Sequence, residues 1–413
     1  MMSQHKVLIM GCTWIIRMIC AIVLVVTLAN GQACKQCFNC HLPYCFCSTF
    51  NHPMNRTNIP QMVYFGFDGS LDSSSMEYYD VLFRHEFINP NDCPISATLF
   101  ITHNKTDHEE SRKLYNCGFD LAVSDASNAI HDIGFNIIND VRDHRTMLSK
   151  HVGVPLADIG GWRSPDLIAM GDLQFLALLK SHYTYDSSLT YTKTNINDSD
   201  VWPFTLDFGW PYKSTCSSWC PQDQHHGLWV VPVTSLILNG EPCTYADSCE
   251  DRLSDSNATF KYLMDNFNSH YHGNRAPFGI NIHSTDFLGR HSEVLERFIT
   301  TVLDYGDVYI VNIQQLLEWM KNPTPLSDIR AFEPWCTSLV IQERERNDPK
   351  GTPNELTVGE KILLDILILV SSVGILHILS IVVEKVYPNV CRRQTRSLHM
   401  YEAIPLTQDD IYM

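Results

Sequence analysis

The sequence predicts a mostly parallel α/β fold. Short apolar runs that favour β-strands alternate along the chain with segments of helical periodicity, as expected for strands joined by helical crossovers. One run, Met62–Phe67, is apolar throughout and turns polar at Asp68, as a strand does where it leaves a buried sheet. The chain has 413 residues, 45% of them hydrophobic, which is enough for one large domain or two ordinary ones.

The main body is expected between residues 59 and 336. Further strands are predicted at Ile95–Ile101, Phe119–Val123, Tyr183–Ser188, Trp229–Val233, Gly279–His283 and Val308–Val311. Helices are predicted at Ser111–Tyr115, Ile130–Lys150, Asp166–Lys180, Asp255–His270, Ser292–Leu303 and Ile313–Lys321. Because the carboxyl ends of strands carry the chemistry in barrels of this kind, Asp68 is a candidate site residue. The alternative is an Asp that only caps the following loop.

Two apolar segments predict how the chain is targeted. Residues 1–33 have the layout of a secretory signal peptide, with an 11-residue apolar run, Met18–Leu28, before small residues; a signal anchor is the less favoured alternative. Residues 362–383 form a 22-residue, almost wholly apolar stretch, which predicts a transmembrane helix rather than a buried helix. Basic residues follow it, so 337–361 is predicted as a stalk and 384–413 as a cytosolic tail of a type I plasma-membrane protein.

Charge and cysteine content agree with an extracellular body. The formal net charge of −16 argues against binding to nucleic acid. Of the 15 cysteines, two lie in the predicted signal peptide and one in the tail, leaving 12, an even number that suits an oxidising compartment. Four sequons predict N-glycosylation at Asn55, Asn104, Asn197 and Asn257. In the tail, Cys391 is a candidate for palmitoylation, and Tyr401–Ile404 has the form of a signal for a sorting adaptor.

Residues 34–58 are rich in cysteine and poor in apolar residues, so we expect disulfides to hold them. The spacing of Cys34, Cys37 and Cys40 also permits zinc, which the oxidising compartment disfavours. Because this segment has five cysteines, at least one is predicted to pair with the main body. Local disulfides are predicted for two further pairs, Cys216 with Cys220 and Cys243 with Cys249.

Several motifs resemble those of the polysaccharide deacetylase family (NodB homology, carbohydrate esterase family 4), and in particular the invertebrate chitin deacetylases. Gln61–Asp72 (QMVYFGFDGSLD) is similar to the first family motif, TFDD, and Leu42–Ser48 (LPYCFCS) to the family's LPxCxCS lead-in. The resemblance implies a distorted (β/α) barrel. It also implies that Asp68 is the general base, while Gly69 stands where the family has a metal-ligating Asp.

The second motif also departs from the family pattern at its metal-ligand positions. Gly118–Ile130 (GFDLAVSDASNAI) aligns without gaps with GHEMASHTVSHSF, which places Ser124 and Asn128 where the family has two His ligands. Glycine has no side chain, and a neutral hydroxyl or amide is a poor ligand for zinc or cobalt. We therefore predict that the family metal is lost. A site rebuilt from neighbouring carboxylates and His131 is the less favoured alternative.

Other motif residues are retained. The resemblance assigns Arg163 to orienting the base, Asp207 to pairing with a basic partner, and His283 to the general acid. Pro165 matches the third motif, although Asp166 replaces the aromatic residue that follows it. Aromatic faces stack on sugar rings, so a substrate groove is predicted at Trp162, Pro165, Trp202 and Trp210; the three tryptophans could equally be core residues.

Two functions follow from these expectations. The favoured hypothesis is a catalytically inactive, membrane-anchored chitin deacetylase-like protein that binds or organises a chitin-type glycan, or a protein partner, at the cell surface. The alternative is an active or weakly active N-deacetylase in carbohydrate metabolism, with Asp68 as base and His283 as acid. Without a metal to polarise the carbonyl, it would lack several kcal/mol of transition-state stabilisation.

Overall fold

The computed structural model describes residues 33–84, 86–103, 105–124, 137–212, 220–283 and 285–336. The predicted stalk, transmembrane helix and cytosolic tail lie outside these ranges, as does nearly all of the predicted signal peptide. Within the described ranges, no helix is both long and apolar enough to cross a membrane.

A nine-stranded mixed sheet forms the centre of the described part of the chain. Its strands are β1 (Gln61–Gly69), β2 (Thr98–Ile101), β3 (Asp120–Ser124), β4 (Gly161–Arg163), β5 (Tyr185–Asp186), β7 (Phe204–Thr205), β8 (Trp229–Val230), β12 (Phe278–Ile282) and β13 (Val308–Ile310). Two small sheets pair β6 (Thr190–Tyr191) with β9 (Val233–Thr234) and β10 (Leu236–Leu238) with β11 (Glu241–Cys243). The strand order of the large sheet is β12-β1-β2-β3-β4-β5-β8-β7, and β13 also pairs with β1. Every pair in this sheet is parallel except β7–β8, which confirms the predicted mostly parallel α/β class.

Parallel register brings the carboxyl ends of the strands to one edge of the sheet. Asp68 at the end of β1 lies opposite Phe100 in β2, and Ser124 at the end of β3 lies opposite Arg163 in β4. β1 is the best predicted strand because its first seven residues are all buried. The edge therefore collects residues that are far apart in the sequence.

Seven helices pack around this sheet in the described residues: α1 (Ser73–Leu82), α2 (His108–Asn116), α3 (Ile137–Val152), α4 (Asp172–Lys180), α5 (Ser256–His272), α6 (Thr285–Leu303) and α7 (Ile313–Lys321). α7 has its predicted bounds, because Asn312 and Gln315 form a capping box at its start. α4 starts six residues later than predicted. Asp166 and Leu167 adopt positive φ angles of 51° and 57°, which an α-helix does not accommodate.

Disulfides hold the cysteine-rich segment, as predicted, but the predicted link to the main body is wrong. Two bridges within the segment join Cys34 to Cys47 and Cys40 to Cys45, and the fifth cysteine, Cys37, is free and exposed in a turn. Backbone hydrogen bonds attach the segment to the sheet instead, for example between Phe46 and Thr205.

The other described disulfides belong to the main body. The predicted Cys243–Cys249 bridge is confirmed, and a Cys93–Cys336 bridge closes most of the main body. Cys220 is also disulfide-bonded, while its predicted partner lies outside the described residues.

Candidate functional site

Asp68 forms a buried ion pair at the carboxyl edge of the sheet. The Arg163 Nη1 donates a hydrogen bond of 2.6 Å to Asp68 Oδ1, and the hydroxyl of Tyr245 donates one of 2.7 Å to Asp68 Oδ2. The Asp68 side chain is 8% exposed and that of Arg163 is fully buried. Both carboxylate oxygens are therefore bound by protein donors in a site with little access to water.

Arg163 is fixed on several sides. Its Nε donates to the carbonyl of Ser187 at 2.9 Å, and its Nη2 donates to Ser187 Oγ at 2.9 Å and to Asn281 Oδ1 at 2.8 Å. The guanidinium also lies 3.5 Å from the centre of the Phe100 ring. Because a guanidinium keeps its charge in proteins, the group needs the Asp68 carboxylate as its counter-charge. The predicted orienting role of Arg163 is compatible with this geometry.

Tyr245 is the site residue that the sequence reasoning missed. It follows β11 and immediately precedes a 3₁₀ turn, Ala246–Arg252, and the Cys243–Cys249 disulfide encloses it. Burial, together with the neighbouring Asp68 charge, raises the pKa of Tyr245, so its hydroxyl stays protonated and donates its hydrogen bond. A clue was present in the closely spaced cysteine pair, which predicts a stiff loop but not where that loop lies.

Asp68 and His283 border one small cavity. Its walls include Asp68, Gly69, Tyr79 and His283, and its volume is about 10 Å³. A cavity of roughly 10–15 Å³ holds one water molecule, so an acetylated sugar does not fit among the described residues as they stand. His283 itself is exposed, and its ring centre lies 5.5 Å from that of Tyr245.

Asp207 lies elsewhere. It follows β7, the last strand in the sheet order, where Gly227 N donates to its Oδ2 at 3.0 Å and His226 Nδ1 lies 3.2 Å from its Oδ1. In the described part of the chain, no hydrogen bond joins Asp207 to Arg163. The structure thus brings Asp68, Arg163 and His283 together but leaves Asp207 at the far side of the sheet, with a histidine beside it.

The described residues around Asp68 do not provide the ligand set that the resemblance gives to the metal ion of the family. Gly69 has a φ of 128°, which disfavours any side chain, although a Cβ there would meet nothing within 4 Å. Ser124 is buried at the end of β3 and offers only a hydroxyl, and Asn128 lies outside the described residues. Among the described residues, the only two groups of three or more metal-binding side chains are Cys34, Cys40 and Cys45, and His103, His108 and His151. Neither includes Asp68, and the three cysteines are all in disulfides.

The three predicted groove tryptophans are core residues instead. Trp162, Trp202 and Trp210 are 2%, 0% and 3% exposed. The ring centre of Trp202, for example, lies 4.8 Å from the ring centre of His52. Their faces pack against protein, so they cannot stack on a sugar. Pro165 is half-buried at the start of a 3₁₀ turn after β4.

Three of the four predicted glycosylation sites lie in the described residues. Asn55, Asn197 and Asn257 are all exposed, and Asn104 is outside. Exposure is necessary for a glycan but does not test its presence. N-glycosylation at these four sites therefore stays a prediction.

The Asp–Arg pair at the edge of a parallel sheet, with a histidine across the same cavity, corresponds to the arrangement implied by the resemblance to polysaccharide deacetylases. Two silkworm (Bombyx mori) proteins are similar in sequence. Chitin deacetylase 8 is 30% identical over 77% of this chain and 86% of its own, and chitin deacetylase 1 is 27% identical over 76% of this chain and 60% of its own. This chain belongs to the chitin deacetylase family. No model of a protein family matches it.

Solved structures give weaker similarities. A Mycobacterium smegmatis protein described as a polysaccharide deacetylase has a TM-score of 0.43 at 16% identity, covering 64% of this chain and 92% of its own. A family 4 carbohydrate esterase from Streptomyces lividans has a TM-score of 0.34 at 10% identity, covering 60% and 91%. Family membership rests on the sequence relatives alone.

Proposed function

We propose that this chain is a catalytically inactive chitin deacetylase-like protein that binds a chitin-type glycan at the cell surface. The observation that supports this most is the state of Asp68, whose two oxygens are both bound, one by Arg163 and one by Tyr245. A general base must be within hydrogen-bond reach of the proton that it abstracts. Here both oxygens already accept hydrogen bonds from protein donors, and the cavity beside Asp68 has room for about one water molecule but not for an acetylated sugar.

The missing ligands add to this argument. Hydrolysis of an acetamide needs stabilisation of the developing oxyanion, which a metal ion supplies as a Lewis acid. Gly69 and Ser124 offer neither imidazole nor carboxylate, and the backbone at Gly69 disfavours a side chain. The Asp68 carboxylate is already hydrogen-bonded to protein donors, and two of the positions that would hold a metal ion lack ligand side chains. Together these two features argue for a pseudoenzyme.

A second cavity offers a place for the glycan. It has a volume of about 430 Å³ and lies between the cysteine-rich segment and the region after β7. Three half-buried aromatic side chains, Phe50, Phe208 and Tyr212, are among its walls. Small-molecule pockets are commonly about 300–1,000 Å³, and exposed aromatic faces stack on sugar rings. We therefore place the glycan in this cavity rather than on the buried tryptophans.

The proposed cell-surface location is supported by predicted targeting segments in the sequence and by disulfides in the described residues. The predicted signal peptide and the apolar segment 362–383 support a type I membrane protein. The four described disulfides support folding in an oxidising compartment. A membrane-anchored body would then face the extracellular space, where chitin-type glycans are found.

Acetate release from chitin oligomers tests the loss of activity. The full-length chain, purified in mild detergent and supplied with Zn²⁺ or Co²⁺, is compared with its Asp68→Asn variant. We expect acetate release from the two proteins to be equal, at the level of the buffer control. Turnover that both Asp68→Asn and His283→Ala abolish would instead support the N-deacetylase, which the shared cavity of Asp68 and His283 favours as the second candidate.

Glycan binding is tested separately by calorimetric titration with a chitin pentamer. Phe208→Ala is expected to weaken binding several-fold, because stacking on its ring is lost. The matched control is Phe38→Ala, since Phe38 is 73% exposed and is not part of the cavity. Equal affinities for these two variants, or no binding by the wild-type chain, would contradict the glycan proposal.

A further inference from the structure

Three histidines converge away from the Asp68 site. His103, His108 and His151, called here the histidine cluster, each offer one ring nitrogen, and these nitrogens all lie within 4.8 Å of one another. The three ring centres are 5.0–5.5 Å apart, and the rings are within 24° of parallel. Three ring nitrogens from separate elements that converge in this way form the donor set of a three-histidine metal site.

The backbone around the cluster is fixed. His103 and His108 lie in the loop after β2 and at the start of α2, and Thr102, immediately before His103, donates its N–H to the Gly69 carbonyl at 3.1 Å. At the other end of the loop, Asp107 donates its N–H to the Leu71 carbonyl at 2.7 Å, and its side chain caps α2. These bonds hold the first two histidines in place through backbone that does not depend on an ion.

His151 comes from a different element. It lies in the last turn of α3 and is exposed, so its side chain is free to adjust. The end of α3 is held against α2 because Arg112 Nη1 donates to the Val152 carbonyl at 3.3 Å. The cluster therefore joins two helices and the loop after β2.

We propose that the histidine cluster binds one divalent late transition-metal ion, with Zn²⁺ as the ion to test. Imidazole suits Zn²⁺ and its neighbours, and three protein nitrogens leave a fourth position for water. With Zn–N bonds of 2.0–2.1 Å, tetrahedral geometry requires nitrogens about 3.3 Å apart. The observed nitrogens lie within 4.8 Å of one another, so each pair must close by at most about 1.5 Å to reach that geometry, and the exposed His151 side chain has the most freedom to move.

The local chemistry supports this assignment. The Nδ1 atom of His108 is buried and has no hydrogen-bond partner among the described residues. A buried donor or acceptor of this kind costs free energy unless something binds it.

Zinc in the histidine cluster would have a structural role and would not take the catalytic place of the family ion. It would tie the loop after β2 to the end of α3, and that loop is bonded directly to Gly69. The chain would thus have given up a metal at the Asp68 site while holding one beside it. This site goes beyond the proposed glycan-binding function and does not depend on it.

The test measures zinc binding to the full-length chain, free of any histidine tag, by equilibrium dialysis with ZnCl₂. The chain is compared with His151→Gln and His108→Gln. The matched control is His272→Gln, because His272 is likewise exposed in the last turn of a helix. We expect the wild-type chain and His272→Gln to bind one ion, and both cluster variants to bind it at least tenfold more weakly.

A second readout separates this proposal from the proposed function. Zinc should raise the melting temperature of the wild-type chain but not that of His151→Gln, whose exposed side chain is not needed for folding. Zinc binding that is unchanged in His151→Gln, or no stoichiometric binding by the wild-type chain, would overturn the cluster assignment. Zinc that is lost only in Asp68→Asn would overturn both the cluster and the pseudoenzyme proposal.

Discussion

Asp68→Asn is expected to destabilise the fold, because it leaves the charge of Arg163 buried without a partner. The guanidinium is fully buried, and among the described residues Asp68 is the only carboxylate that forms an ion pair with it. Breaking such a pair by removing one member costs about 3–5 kcal/mol. Arg163 keeps its hydrogen bonds to neutral acceptors on Ser187 and Asn281, so we expect the lower end, about 3 kcal/mol.

Urea unfolding under non-reducing conditions, followed by tryptophan fluorescence, measures this difference. The matched control is Asp166→Asn, because Asp166 is exposed just after β4, the strand that ends at Arg163. Its free energy of unfolding should stay within about 0.5 kcal/mol of wild type. The double variant Asp68→Asn/Arg163→Met, which removes both charges, should be more stable than Asp68→Asn alone. A free energy for Asp68→Asn within about 1 kcal/mol of wild type would refute the idea that Asp68 is bound as the counter-charge of Arg163.

Three further perturbations test the fold around the site. Gly69→Ala should cost about 1–3 kcal/mol of unfolding free energy, because its φ of 128° strains any L side chain although the space is open; a neutral result by urea titration would show that the backbone relaxes. Cys93→Ser should lower stability by about 5 kcal/mol, because its bridge to Cys336 spans 243 residues, and a loss under about 1 kcal/mol in the same titration would contradict this. Burial raises the pKa of Asp186 from 3.8 to about 6, so the native state binds its proton more tightly than the unfolded state does. The stability that this proton provides is present below pH 3.8 and is lost as the pH rises through about 6, so the advantage of wild type over Asp186→Asn should shrink by roughly 3 kcal/mol across that range. A difference that does not change with pH would contradict the raised pKa.

The sequence predicted the elements whose pattern is local. β1 is buried along its first seven residues, and α7 carries its own capping box, so hydrophobicity and spacing were sufficient. α1 (Ser73–Leu82) was missed because it opens with three serines and its apolar residues come only after them, which gives it a weak helical pattern. The start of α4 was misplaced because nothing in the sequence requires positive φ angles at Asp166 and Leu167.

Site residues that belong to a sequence motif were predicted. Site residues that only the tertiary structure brings together were missed. The resemblance supplied Asp68 and Arg163, and the structure pairs them. Tyr245 lies 177 residues from Asp68 in the sequence, so no local pattern links them. The tryptophans were predicted in a groove because residue type alone does not tell a buried indole from an exposed one.

The histidine cluster escaped the sequence reasoning for the same physical reason. His103 and His108 have the four-residue gap that occurs in zinc motifs, but such a pair alone is a weak signal, and His151 comes from another helix. Convergence of side chains from separate elements depends on how those elements pack. Packing of this kind is visible only in three dimensions.

Anomalous diffraction at the zinc absorption edge, from crystals of the chain equilibrated with Zn²⁺, locates every bound ion in one map. The proposals made here predict a peak among His103, His108 and His151 and none beside Asp68, where Arg163 and Tyr245 bind both carboxylate oxygens. A zinc peak next to Asp68 with protein ligands around it would contradict the proposal that this deacetylase-like site has lost its metal.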